Sequence, residues 1–161
     1  MDEFISSLSD IISVLDKNIK LIIRIHPGFY LTDEEIKTLL PESDRFIIHR
    51  EGPFSEVLAA SDILISYSST AMDEALINRI PVLLYDKWNR YSHFKTEPYD
   101  NLGSPDIFPV CYVNNREKLY EALQWMIEKT RVTQKSDIDV SEYCYNEDYS
   151  ENLYKFLEES I

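Results

Sequence analysis

Ser68, Ser69, Thr70 and Glu74 are the residues whose types and spacing most plainly suit chemistry. The three hydroxyls lie between an apolar run, residues 63–65, and a stretch without Gly or Pro, residues 71–78. The order reads as strand, turn and helix, and Pro81 then opens a second apolar run, Val82–Tyr85. The first N–H groups of a helix have no internal partners, and the helix dipole adds partial positive charge, so such a turn suits a phosphate. Thr70 and Glu74 are four apart and share a helix face. A carboxylate one turn in from a phosphate is placed to accept hydrogen bonds from ribose hydroxyls. An ordinary N-cap uses the same Ser and Thr, so this segment by itself leaves both readings open.

A second candidate stands at the end of an Ile-rich run, residues 19–25, where His26 precedes Pro27 and Gly28. Pro27 cannot donate to a strand ladder and Gly28 turns easily, so the strand stops there. Upstream, Phe4, Ile5, Leu8, Ile11, Ile12 and Leu15 recur at helical spacing. Thr32 with Glu35 forms a capping box that opens a short helix, closed by Pro41. Residues 45–48 read as a strand, followed by the turn His49-Arg50-Glu51-Gly52-Pro53 and a helix over 54–60. Residues 87–109 keep no period, which marks a functional or mobile stretch. A strand over 110–113 leads to a helix capped by Asn114 or Asn115, with Leu119, Ala122, Leu123, Met126 and Ile127 on its core face. Residues 130–140 read as polar and linker-like, and Ser150 caps a last helix carrying Leu153, Tyr154 and Leu157.

Strands alternating with helices predict an α/β fold: a Rossmann-like three-layer sandwich around a parallel sheet of roughly five strands. Ligands of such sheets bind beyond the carboxyl ends of the strands. His26, the 68–70 turn, and Asp86 with Lys87 stand at three such ends, and one sheet would bring them to one edge.

The 161 residues suit one domain with a real core, and 44% hydrophobic with 28% charged content is that of a folded soluble protein. The net charge of −13 argues against nucleic acid as a partner. Residues 137–161 hold eight acidic side chains against one Lys, so the expected division is a nucleotide-binding domain over 1–136 and an acidic tail over 137–161 whose helix docks back. Cys111 and Cys144 show no paired or metal-binding spacing and suit a reducing compartment. No apolar run approaches the ~18 residues of a membrane span. Neither a metal pair nor a cofactor motif is visible.

The strand ending in His-Pro, then Glu56-x-Leu58-x-x-Ser61-Asp62, Ser68-Ser69-Thr70, Glu74-Ala75-Leu76 and a Pro81-Val82 strand resembles the nucleotide-binding carboxyl-terminal domain of GT-B glycosyltransferases. The nearest families are CDP-glycerol glycerophosphotransferases of teichoic-acid synthesis and bacterial sialyl- and polysialyltransferases. UDP-GlcNAc 2-epimerases share the fold and a similar turn. The match is closest over residues 20–86, and residues 145–150 are similar to the segment before the last helix of the glycerophosphotransferases. The resemblance implies that His26 contacts the donor phosphate, as hydrogen-bond donor or as cation. It further implies that Ser68, Ser69 and Thr70 bind phosphate oxygens, that Glu74 holds the ribose, and that Gly52 and Pro53 contact the base. The donor would be a nucleotide-sugar or CDP-glycerol, with no metal required.

GT-B enzymes place the acceptor site and catalytic base in an amino-terminal domain that this sequence does not contain. The expectation is therefore a donor-binding domain that works with an acceptor-binding domain or subunit, in the cytoplasm or at the inner face of the membrane through that partner. An epimerase half and a non-catalytic nucleotide-binding or assembly module are the alternatives. Trp88, Tyr91 and Phe94 are expected to face the partner domain. His49 and His93 read as solvated, Asp62 as a capping residue, Asp73 as solvent-facing, and Lys87 and Arg90 as surface charge.

Overall fold

The computed structural model describes residues 2–26, 28, 30–38, 40, 44–67, 69–90, 94, 96–99 and 108–144. The protein is α/β with parallel strands, and the chain divides into two compact units, residues 1–61 and 62–161.

The amino-terminal unit runs α1 (Asp2–Val14), β1 (Leu21–Arg24), α2 (Asp33–Lys37), β2 (Phe46–His49) and α3 (Phe54–Ala59). β1 and β2 pair in parallel, with Leu21 opposite Phe46 and Arg24 opposite His49. Leu8, Ile23, Ile25, Leu31 and Ile36 form the buried core, with Phe4, Ile5 and Ile12 of α1 packed against it. This is the face that the spacing of those residues in the sequence predicts. Arg45 ties the start of β2 to the loop after α1, donating to the Asp16 carbonyl at 2.8 Å while its guanidinium lies 4.8 Å over the Phe46 ring.

The capping box forms as the sequence predicts. The Glu35 N–H donates to the Thr32 hydroxyl at 3.2 Å, and the Glu35 carboxylate accepts the Thr32 N–H at 2.7 Å. Those bonds from the Thr32 backbone and hydroxyl hold the Glu35 carboxyl below its ordinary range.

The carboxyl-terminal unit runs β3 (Leu64–Ser66), α4 (Ala71–Ile77), β4 (Val82–Tyr85), β5 (Val110–Val113), α5 (Arg116–Val132) and α6 (Ser141–Cys144). Its sheet order is β3-β4-β5, all parallel. Every residue of β4 and β5 is buried, as strands covered on both faces require. α5 packs on β4 and β5 through Leu119, Ala122, Leu123 and Met126. It starts at Asn115, whose side chain accepts the Lys118 N–H at 2.9 Å. Cys111 in β5 is fully buried, and burial pushes its thiol up to about 12.

Two expectations change. The strands form a two-stranded and a three-stranded sheet rather than one sheet of five. Each ladder joins strands that follow one another along the chain. Residues 130–140 are not a linker: α5 continues to Val132, and Ile138 and Val140 are buried. Arg79, at φ +56 just past α4, fastens that stretch by donating from Nη1 to the Ser136 and Ile138 carbonyls at 2.9 and 2.7 Å. A polar sequence hid this because only Ile138 and Val140 supply buried apolar side chains and the remaining hold is on backbone carbonyls. The expected last helix at Ser150 and most of the acidic tail lie outside the described residues. Among the described residues no helix is long and apolar enough to cross a membrane.

Candidate functional site

His26 follows β1 and is exposed. Its Nδ1 accepts the Gly28 N–H at 3.1 Å, which folds the backbone around the ring. With Nδ1 engaged by that bond, Nε2 is the ring nitrogen left to meet a ligand, as a donor. Pro27 lies outside the described residues.

The Gly52–Pro53 turn follows β2, and both residues are exposed. Gly52 has φ +79, a conformation that costs glycine little and a side chain more. Pro53 has φ −69 and opens α3, where a fixed φ is favourable. Arg24, the last residue of β1, reaches across the ladder to this turn. Its Nη1 donates to the Glu51 carbonyl at 3.0 Å and its Nη2 to the Gly52 carbonyl at 3.0 Å. Nη1 also lies 2.9 Å from His49 Nδ1. Arginine has no acceptor, so His49 accepts at Nδ1 and holds its proton on Nε2. His49 is thus a half-buried, oriented ring rather than a solvated turn residue. Next to it, Arg50 donates to the Asp33 carboxylate and to the Leu31 carbonyl, fastening the end of β2 to the approach of α2.

In the carboxyl-terminal unit, Ser69, Thr70 and Glu74 are exposed at the start of α4. Ser68 lies outside the described residues. The Ser69 hydroxyl accepts the Ala71 N–H at 3.2 Å, and the Ser69 carbonyl accepts the Met72 N–H at 3.0 Å. Ser69 therefore serves the helix as a cap. Thr70 makes no side-chain capping bond, and its carbonyl accepts the Glu74 N–H at 3.2 Å. One helical turn separates Thr70 from Glu74, as their spacing predicts.

At the end of β4, Asp86 is fully buried. Its Oδ1 accepts the Trp88 N–H at 3.2 Å and its Oδ2 the Arg90 N–H at 2.7 Å, so the carboxylate anchors the loop that follows. The Tyr112 hydroxyl donates to Asn89 Oδ1 at 2.8 Å in the same loop. Burial first, and the Asp86 charge second, push the Tyr112 hydroxyl above its ordinary value. Lys87 lies with its Nζ 4.9 Å over the Trp88 ring. Phe94, half-buried, meets Tyr143 of its own unit edge-on at 5.5 Å. Tyr91 and His93 lie outside the described residues.

The sequence reading missed the role of Arg24. The available signal was a single cation inside the apolar run Leu21–Ile25, two residues before His26. Among the described residues no group of three His, Cys, Asp or Glu side chains is arranged to hold a metal ion. A family model described as CDP-Glycerol:Poly(glycerophosphate) glycerophosphotransferase matches residues 3–159. No curated protein and no solved structure matches the chain.

Proposed function

The chain belongs to the CDP-glycerol:poly(glycerophosphate) glycerophosphotransferase family, and from that membership we propose that it is the donor-binding part of a transferase that extends a glycerophosphate or related surface polymer. The observation that carries this is the match over residues 3–159, nearly the whole chain. The fold proposed is the Rossmann-like carboxyl-terminal domain type of the GT-B enzymes, which suits the parallel α/β units.

The donor is a nucleotide conjugate, with CDP-glycerol the first candidate. His26 donates from Nε2 to a donor phosphate oxygen. Ser68, Ser69 and Thr70 bind phosphate oxygens, Glu74 accepts from ribose hydroxyls, and Gly52 with Pro53 contacts the base. An acceptor hydroxyl oxygen attacks the donor's phosphorus as the bond to the departing nucleotide breaks. Stabilising the charge on that nucleotide is the task of hydrogen-bond donors such as His26 and the hydroxyls, which is compatible with a net charge of −13. The acceptor and the base that takes its proton belong to a partner domain or subunit, acting at the inner face of the membrane.

The test is a thermal-shift panel of CDP, CMP, UDP and GDP. A cytidine nucleotide at a hundred times its dissociation constant adds about 2.7 kcal/mol of stability. Ser69→Ala and Glu74→Ala, both at exposed positions, each weaken that nucleotide by roughly three- to tenfold, the range of a lost hydrogen bond. No shift with any nucleotide would overturn the reading, and a shift with UDP alone would move the donor to the uridine class.

A further inference from the structure

We propose that Arg24 is the positioning residue of the base-contacting turn, holding Gly52 and His49 in the arrangement that receives the donor's base. The inference rests on the donor-binding reading of that turn and names the residue on which the turn's shape depends.

Arg24 brings together three groups at and just after the end of β2. One guanidinium spans His49 Nδ1, the Glu51 carbonyl and the Gly52 carbonyl, at 2.9, 3.0 and 3.0 Å. Its place is fixed by the ladder, where Arg24 is opposite His49 and the Ile25 N–H donates to the His49 carbonyl at 3.1 Å. The planar fork suits this task, because its several N–H groups point in set directions that a lysine ammonium does not reproduce. The bond to His49 is half-buried, while the two to the Glu51 and Gly52 carbonyls are exposed, so the fork's geometry rather than burial makes the clamp specific.

Two properties of the turn depend on the clamp. First, the Glu51 and Gly52 carbonyls are drawn toward Arg24, which fixes the peptide planes on either side of Gly52 and with them its φ of +79. Second, accepting from Arg24 commits His49 Nδ1, so the ring keeps its Nε2 proton as a donor. A Cβ on Gly52 would meet only His49 Cε1 at 3.7 Å and Glu56 Oε2 at 3.8 Å. Those are ordinary contacts, so the turn's shape is set by the backbone clamp rather than by crowding. Neither Arg24 nor His49 is needed to bind phosphate in the proposed function, which makes their effect separable.

The experiment compares CDP with two ligands that lack a base, ribose 5-phosphate and pyrophosphate, by calorimetric titration of the wild-type protein, Arg24→Ala and Arg24→Lys. The expected result is a loss of CDP affinity on the order of tenfold in Arg24→Ala, the scale of losing hydrogen bonds from a charged donor. Arg24→Lys recovers only part of it, and the base-free ligands bind all three proteins equally. A general structural role would instead weaken all three ligands together. Equal loss for the base-free ligands, or unchanged CDP affinity in Arg24→Ala, overturns the inference while leaving the donor-binding reading intact. Absence of CDP binding to the wild-type protein overturns both. Should Arg24→Ala not fold, Arg24→Lys with the same ligands decides: CDP affinity equal to wild type rejects the clamp.

Discussion

Ile22, Phe46 and Ile48 on the strands of the amino-terminal unit are only half-buried, and Ile47 is 45% exposed, whereas every residue of β4 and β5 in the carboxyl-terminal unit is buried. The same α/β grammar is therefore stabilised in two ways. The smaller unit combines a short core with polar fastenings: Arg24 on the 51–52 carbonyls, Arg45 on Asp16, and Thr32 with Glu35. The larger unit rests on a dry sheet under α5 and keeps its polar fastenings for connecting segments, Asp86 for the loop after β4 and Arg79 for the stretch after α5. Loops beyond strand ends are thus held by specific hydrogen bonds in both units, but only in the second does a fully buried sheet stand behind them.

The sharpest test of this contrast is truncation of a strand residue in each unit. Leu83→Ala in β4, where the side chain is fully buried, costs about 2–5 kcal/mol in urea unfolding. Ile47→Ala in β2, at a partly exposed position, stays within about 0.5 kcal/mol. Equal costs would erase the contrast. A smaller effect is expected at the loop anchor. Asp86→Ala leaves the Trp88 and Arg90 N–H groups without their acceptor, at about 1–3 kcal/mol, and speeds proteolysis within the loop that follows.

The smallest effect concerns the capping box and depends on pH. The folded Glu35 carboxyl lies below its ordinary value of 4.5. Its contribution is therefore fully present above that value and is lost as pH falls through the lowered folded value. Glu35→Gln should be less stable than the wild type at neutral pH, and the difference should vanish in acid. A difference that grows in acid would show that the carboxylate is not what the cap uses.

Most element positions were legible from periodicity. β4 and β5 fall where the apolar runs place them, and α1, α2 and α4 start where spacing and capping residues predict. The capping box was legible because both of its members are local in sequence. The clamp at the Gly52 turn was not, because Arg24 acts 28 residues away through backbone carbonyls, which every residue has. The attachment of residues 136–138 by Arg79 was hidden for the same reason. Asp86 could be read as polar at a strand end, yet its burial follows from the loop folding back over it and not from its neighbours in sequence. The division of the strands into two ladders was likewise invisible, since pairing partners leave no mark in a hydrophobic run.

Cys111 gives the carboxyl-terminal unit an intrinsic clock. Its thiol is fully buried in the middle ladder position of β5 opposite Leu83, and its ionisation is suppressed. A thiol reagent reaches it only when the packing around β5 opens, by strand separation or by the covering layer lifting. In a Cys144→Ser background, the rate of labelling therefore measures how often the core around β5 opens, for any substitution elsewhere in the unit, without an added probe.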